Sequence, residues 1–251
     1  MIRGIYTAAA GLATATLRLG VVSNNVANSA TPGFKQDRLP EEVGKAIDLM
    51  KYAVDAQGRP VGSVTLGPQV GVSQLDLSSG PLQETTNPLD VAIAGTGFFS
   101  VQRPDGTTAY TRDGGFLTDT NGTLRARDGS SVLDTNGQPI QLSLGSDVSV
   151  AANGTILSGG TTVAQLQIAD FAPGAQLTKI GNGMFSAPNG TTPQAATGAQ
   201  VYQGYLEGSN VDLTESMVST MNLVRAYEAN QKILQMQDET LKSTVNEVGK
   251  A

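Results

Sequence analysis

Cysteine, histidine and tryptophan are all missing from the 251 residues of this chain. Without cysteine there are no disulfides, thiolate nucleophiles or soft-metal sites, and without histidine there is no imidazole base for a catalytic triad. A cysteine-free chain also passes through an oxidising compartment without accidental bridges. Positive charge is scarce: 16 Lys and Arg against 22 Asp and Glu give a formal net charge of -6. Nucleic acid and anionic membranes, which reward clustered cations, are disfavoured as partners. No run reaches the roughly 18 to 20 consecutive apolar residues of a membrane span, so membrane insertion is not expected. Aromatics make up only 5% of the chain and leave no evident stacking cleft for sugars.

Glycine, by contrast, is abundant, with 30 residues alongside 11 Pro. That composition favours short strands and tight turns over buried helices. Asp105-Gly106, Asp113-Gly114, Asn121-Gly122, Asp128-Gly129 and Asn136-Gly137 recur every seven or eight residues. Asn153-Gly154 and Asn189-Gly190 extend the series. The spacing predicts type I′ hairpin turns between short strands, and hence an antiparallel β-rich, barrel- or sandwich-like domain over 73–207. Residues 35–72, with Pro and Gly concentrated between Pro40 and Pro68, read as a linker around one short amphipathic piece, Glu41 to Val54.

Both ends read as helix. Ile5, Leu12, Leu19 and Val26 stand seven residues apart, and Ala8, Ala15 and Val22 follow three after the first three, the a and d spacing of a packed helix pair. The pattern stops at the turn formers Asn28-Ser29-Ala30-Thr31-Pro32-Gly33. At the other end, Asp212 with Glu215 fits a capping box. Leu213, Met217, Thr220, Val224, Tyr227, Leu234, Leu241, Val245 and Val248 then share a face, with Gln231 and Asp238 as polar interruptions. The fold class is therefore α+β: a discontinuous coiled-coil layer from 1–34 and 208–251 flanking the β-rich middle. Such seams demand cover, and a two-helix pair alone leaves apolar surface wet, so further copies are the natural neighbours.

Sequences suggestive of chemistry are weak. Gly95-Thr96-Gly97 lacks the third glycine and the following helix of a dinucleotide fingerprint. Asp119-Thr120-Asn121 opens like a calcium loop, but Leu124 and Ser130 stand where the turn glycine and bidentate Glu belong. The start of the chain imitates a signal peptide with Ala13-Thr14-Ala15 as its cleavage site, yet Thr and Gly interrupt it and the apolar pattern continues beyond. No catalytic, metal or cofactor residue is assigned.

The segment Val21-Val22-Ser23-Asn24-Asn25-Val26-Ala27-Asn28-Ser29-Ala30-Thr31-Pro32-Gly33-Phe34 resembles the N-terminal signature of the flagellar rod and hook axial proteins. Ile5 to Gly11, Pro88 to Ile93, Gly97-Phe98-Phe99, Ala109 to Gly114, Tyr202 to Val211 and Arg225 to Asn230 are similar to the same family. The resemblance implies a non-enzymatic subunit of the bacterial flagellar basal body, exported unfolded through the flagellar type III apparatus without a cleaved signal peptide. Copies would stack helically into a hollow shaft crossing the periplasm, with the terminal helices as inner tube and the β domain as outer wall. The implied partners are copies of this chain, other rod and hook proteins, and the ring proteins around the shaft. The length leaves little room for a hook protein's further outer domain, so a distal or proximal rod type fits better.

The assembly face would comprise Ile5, Leu12, Leu19, Val22 and Val26 from the first helix and Leu213, Met217, Val224, Tyr227, Leu234, Leu241 and Val245 from the last. Asn24, Asn25 and Asn28 would add polar contacts, although a helix stop followed by a turn explains this asparagine cluster on its own. A secreted β-rich adhesin and a carbohydrate-active β enzyme are the alternatives.

Overall fold

In a computed structural model the protein is α+β, with one long helix at each end and a β-rich middle. The structure describes residues 2–43, 46–52, 58–65, 67–172, 174–188, 190–196 and 198–248; Val54 and Asn189 lie outside this set. The chain divides into two compact units. One contains Met1–Ala27, Asp37–Gln74 and Asp212–Ala251, the other Asn28–Gln36 and Leu75–Val211.

The first unit holds helix α1, Ile2–Ala27, and helix α2, Leu213–Val248. Asp212 starts α2 as anticipated: its carboxylate accepts from the Glu215 amide at 3.0 Å and its carbonyl from the Ser216 amide at 3.0 Å. Two glycines of α1 lie directly against α2 side chains. A Cβ on Gly4 would stand 3.0 Å from Gln237 Nε2, and one on Gly11 2.9 Å from Asn230 Nδ2. Seven residues forward along α1 thus match seven backward along α2, so the helices are antiparallel. Over Gly4–Ala27, α1 is long and apolar enough on average to cross a membrane, a property it shares with soluble core helices and signal sequences. Here Ala8, Thr14, Ala15 and Asn25 of this helix are buried.

The stretch expected to contain one amphipathic piece instead carries strands. Glu41–Val43 pairs antiparallel with Pro68–Val70, and Ala46–Tyr52 with Gly58–Thr65. This element covers a second side of α1. Thr14 Oγ1 donates to Pro68 O at 3.3 Å, and a Cβ on Gly67 would stand 3.3 Å from Ala10 Cβ. Asn25 behaves as a surrogate strand residue: its Nδ2 donates to Asp37 O at 2.8 Å while its Oδ1 accepts from Asp37 N at 3.1 Å.

In the second unit a nine-stranded antiparallel sheet curls into a half-barrel. Its central strand, Phe98–Gln102, pairs from Phe99 to Gln102 with Thr108–Thr111. The opposite edge is shared: Val101 and Gln102 pair with Val132 and Ser131, whereas Phe98 and Phe99 pair with Ala169 and Ile168. Side chains alternate across this strand. Phe99 and Val101 enter the main core with Val91, Ile93, Phe116, Val132, Ile140 and Ile156. Phe98 enters a smaller cluster with Tyr110, Leu177 and Phe185. Both faces are buried, so the strand reads as a continuous apolar run rather than an alternating one.

The turns differ in type from expectation. Type I′ requires both central residues at positive φ, but among the described non-glycine residues only Asn182 has one, at 51°. At Arg103–Thr107, Gly106 N donates to Arg103 O and Arg103 N to Thr107 O, each at 2.9 Å, with Gly106 at φ 83°. This is a three-residue loop in which a type I turn ends in a left-handed glycine. The same pair of bonds recurs in the loops closed by Gly122, Gly129, Gly137 and Gly154. Asp105, Asp119, Asp128, Asp134 and Asn153 each accept a backbone N–H two residues ahead, which holds them in ordinary turn conformations. Asp113-Gly114 is no hairpin turn: Gly114 lies flat on the strand at Val91, where a Cβ would stand 1.6 Å from Val91 O. Type I′ geometry occurs instead at Asn182-Gly183 and Gly159-Gly160.

Candidate functional site: the outward apolar face of the terminal helices

Most apolar side chains on α1 look inward. Ile5, Leu12, Leu19, Val22 and Val26 are half-buried, and Ala8, Gly11 and Ala15 are buried. Asn24 is exposed, Asn28 half-buried, and Asn25 is buried on the Asp37 backbone. Thr31 Oγ1 donates to Asn28 Oδ1 at 3.3 Å in the turn that ends the helix.

On α2 the buried and half-buried positions include Ser216, Thr220, Leu223, Asn230, Leu234, Gln237 and Leu241, at steps of three, four and, from Leu223 to Asn230, seven residues. Of the residues expected to form the interface, Leu234 and Leu241 are among these, and Leu213, Met217, Val224, Tyr227 and Val245 are exposed. The expected polar interruptions, Gln231 and Asp238, face solvent, while Asn230 and Gln237 one residue earlier face α1. Gln237 Oε1 is buried without a hydrogen-bond partner, and Asn230 Nδ2 donates to Ala226 O.

Sequence reasoning missed Met221, which is exposed beside Met217. Leu213, Met217, Met221 and Val224 follow one another at spacings of four, four and three, forming an apolar stripe along the outer flank of α2. Ser23, Val26, Ala27, Met217, Thr220 and Met221 line an open groove where the end of α1 meets the start of α2. None of these side chains is ionisable. Such a stripe can bind another apolar surface but offers no acid, base or nucleophile. Among the described residues no three His, Cys, Asp or Glu side chains converge as metal ligands.

The sequences that suggested chemistry have structural roles. Gly95 and Gly97, at φ 107° and 113°, turn the chain between strands Val91–Ala94 and Phe98–Gln102. In the calcium-like loop Asp119 accepts from Arg125 Nε at 2.7 Å and from the amides of Asn121 and Thr123. The hydrogen bond from Arg125 lowers its pKa below the ordinary 3.8.

Comparison with known proteins gives the helical face its context. Residues 5–35 match the family model "Flagella basal body rod protein", residues 92–158 "Flagellar hook protein FlgE/F/G D1 domain", and residues 202–247 "Flagellar basal body rod FlgEFG protein C-terminal". The flagellar basal-body rod protein FlgG of Bacillus subtilis is 35% identical, with 98% of this chain and 99% of that protein aligned. Caulobacter vibrioides supplies two relatives, each 33% identical: its FlgG, over 96% of this chain and 98% of that protein, and its FlgF, over 100% and 99%.

Proposed function

The chain belongs to the flagellar basal-body rod protein family, and from that membership we propose that it is a structural rod subunit which polymerises helically through α1 and α2 into a hollow, torque-transmitting shaft. The observation that carries this reading is the alignment with rod proteins over nearly the entire length, terminal helices included. The outward stripe Leu213, Met217, Met221 and Val224 supports the mechanism, because contiguous exposed apolar surface marks a binding face. The interface in this reading comprises that stripe with Tyr227 and Val245, while Ile5, Leu12, Leu19, Val22, Val26, Leu234 and Leu241 hold the helix pair that presents it.

Neighbouring copies and other rod and hook components are the partners, and ring proteins surround the β-rich unit. In this reading residues 1–34 and 208–251 supply the tube layer and 73–207 the outer wall, while strands of 37–74 pack on α1. The subunit reaches the basal body through the flagellar type III apparatus without cleavage of a signal peptide. It performs no catalysis and takes no cofactor. Nothing in the comparisons favours an adhesin or a carbohydrate-active enzyme.

Electron microscopy of basal bodies from a strain lacking the gene tests this. The expected result is a missing or shortened rod, restored by the full-length chain but not by a copy beginning at Phe34. Intact flagella in the deletion strain would refute it.

A further inference from the structure

Within the β-rich unit, Lys35, Arg112 and Glu207 form a buried ionic triad. The side chains of Lys35 and Glu207 are 0% exposed and that of Arg112 2%. Glu207 Oε1 accepts from Lys35 Nζ at 2.6 Å and from Gly80 N at 2.9 Å, and its Oε2 accepts from Arg112 NH1 at 2.9 Å. The cations are held from behind: Lys35 Nζ donates to Ser78 O at 2.7 Å, and Arg112 NH2 to Gly95 O at 2.7 Å. Two cations against one anion, with Arg112 Nε buried and unpartnered, is not an arrangement that maximises stability. Burial lowers the Lys35 pKa despite the pull of Glu207.

The triad gathers three stretches that connect this unit to the rest of the chain: 28–36, 75–82 and 204–211. Asn210 also ties them, its Oδ1 accepting from Gln36 N at 2.7 Å and its Nδ2 donating to Asp76 O at 2.9 Å, but the strand pairing among them is short. Strand Tyr205–Glu207 pairs with Leu82–Glu84 over three residues, and Leu82, Gln83 and Glu84 are all exposed. Leu82–Glu84 offers no apolar alternation to distinguish this alignment from one shifted by a residue, and on the partner strand only Leu206 is a buried apolar side chain; such a shift would also turn Glu207 to the other face and strand both buried cations.

We propose that the Lys35–Glu207–Arg112 triad is a register lock: it admits a single alignment of the segments by which the chain enters and leaves the β-rich unit, and so fixes the two points of departure toward α1 and α2. A polar group satisfied in one alignment only confers uniqueness where apolar packing does not. Backbone bonds that depend on this alignment are Gly33 N to Glu207 O at 2.7 Å, Gly208 N to Pro81 O at 2.8 Å and Asn210 N to Phe34 O at 3.3 Å.

The test replaces the whole triad by apolar residues of similar length in the purified full chain, Lys35→Met/Arg112→Met/Glu207→Leu, and compares it with Glu207→Gln. The single variant lowers Tm, because two buried cations lose their counter-ion. For the triple variant the expected result is an equal or higher Tm together with doubled amide resonances in 28–36 and 204–211 and about tenfold faster exchange at Gly33, Gly208 and Asn210. Loss of an ordinary packing contact would lower Tm without doubling resonances. A triple variant with one set of resonances and unchanged exchange overturns the proposal. Should it fail to fold, Lys35→Met/Glu207→Gln, which keeps an acceptor for Arg112 and for the Gly80 amide, is read by the same criteria. The readout uses the isolated chain, so its outcome is independent of the rod assignment.

Discussion

Introducing charge into the α2 stripe should separate folding from assembly. Leu213, Met217, Met221 and Val224 are 42%, 53%, 56% and 39% exposed. Fully covering such a side chain contributes about 1.5–3 kcal/mol, so completing the burial of four half-covered ones adds roughly 1 kcal/mol each, about 4 kcal/mol per subunit. That is about a thousandfold in an association constant. In the double variant Met217→Asp/Met221→Asp two of these contributions vanish and two carboxylates must be desolvated without partners, which costs several kcal/mol more, roughly, at each contact. In the free chain both side chains are already more than half exposed, so each change costs no more than about 1 kcal/mol. Circular dichroism of the purified variant should show native helix content and a Tm within a few degrees of the parent, while the complemented strain should be non-motile and lack a complete rod. Normal swimming and normal rods would refute the assignment of this stripe to subunit contacts; a collapsed fold would show that the stripe is interior.

Three further outcomes follow from the interior of the β-rich unit. Gly33 has φ +67°, and a Cβ there would stand 2.4 Å from Asp113 N, so Gly33→Ala should lose at least about 1–2 kcal/mol in a urea titration. Phe99, with 0% exposure and its ring edge-on to Phe116 at 5.1 Å, should cost about 3–5 kcal/mol when changed to Ala, measured the same way. Burial raises the pKa of Asp113 above 3.8 in the folded chain, so its contribution is most favourable below pH 3.8 and is lost as pH rises through the folded value. Asp113→Asn, which can still accept from the Gly115 amide, should flatten this part of the stability–pH curve just above pH 3.8; an unchanged curve would contradict the cause given.

The two helices were legible because an apolar periodicity survives in sequence; Ile5, Leu12, Leu19 and Val26 are half-buried. On α2 the same reasoning picks a neighbouring face. The side chains opposite Gly4 and Gly11 are polar, Gln237 and Asn230, so the seam toward α1 is partly hidden from a hydrophobicity pattern, and the most apolar flank is the outward one. Turn positions could be read from Asp-Gly and Asn-Gly pairs, but their type could not, since a side-chain acceptor such as Asp105 stabilises a three-residue loop as readily as left-handed Asn stabilises a two-residue one. The strands between Glu41 and Thr65 carry Pro and Gly at linker frequency, and only pairing across the hairpin reveals them. Nor could the Lys35–Glu207 pair be found, because 172 residues separate two charges that look solvated in sequence.

The absence of cysteine allows the central claim to be tested by a single reactive probe. Met221→Cys and, as a control in an exposed turn, Asn136→Cys would be labelled with a maleimide, first in the purified monomer and then in isolated basal bodies. The assembly of this chain through its terminal helices predicts that both cysteines react in the monomer and that Met221→Cys alone becomes protected in the basal body. Equal labelling of Met221→Cys in the two states would contradict it.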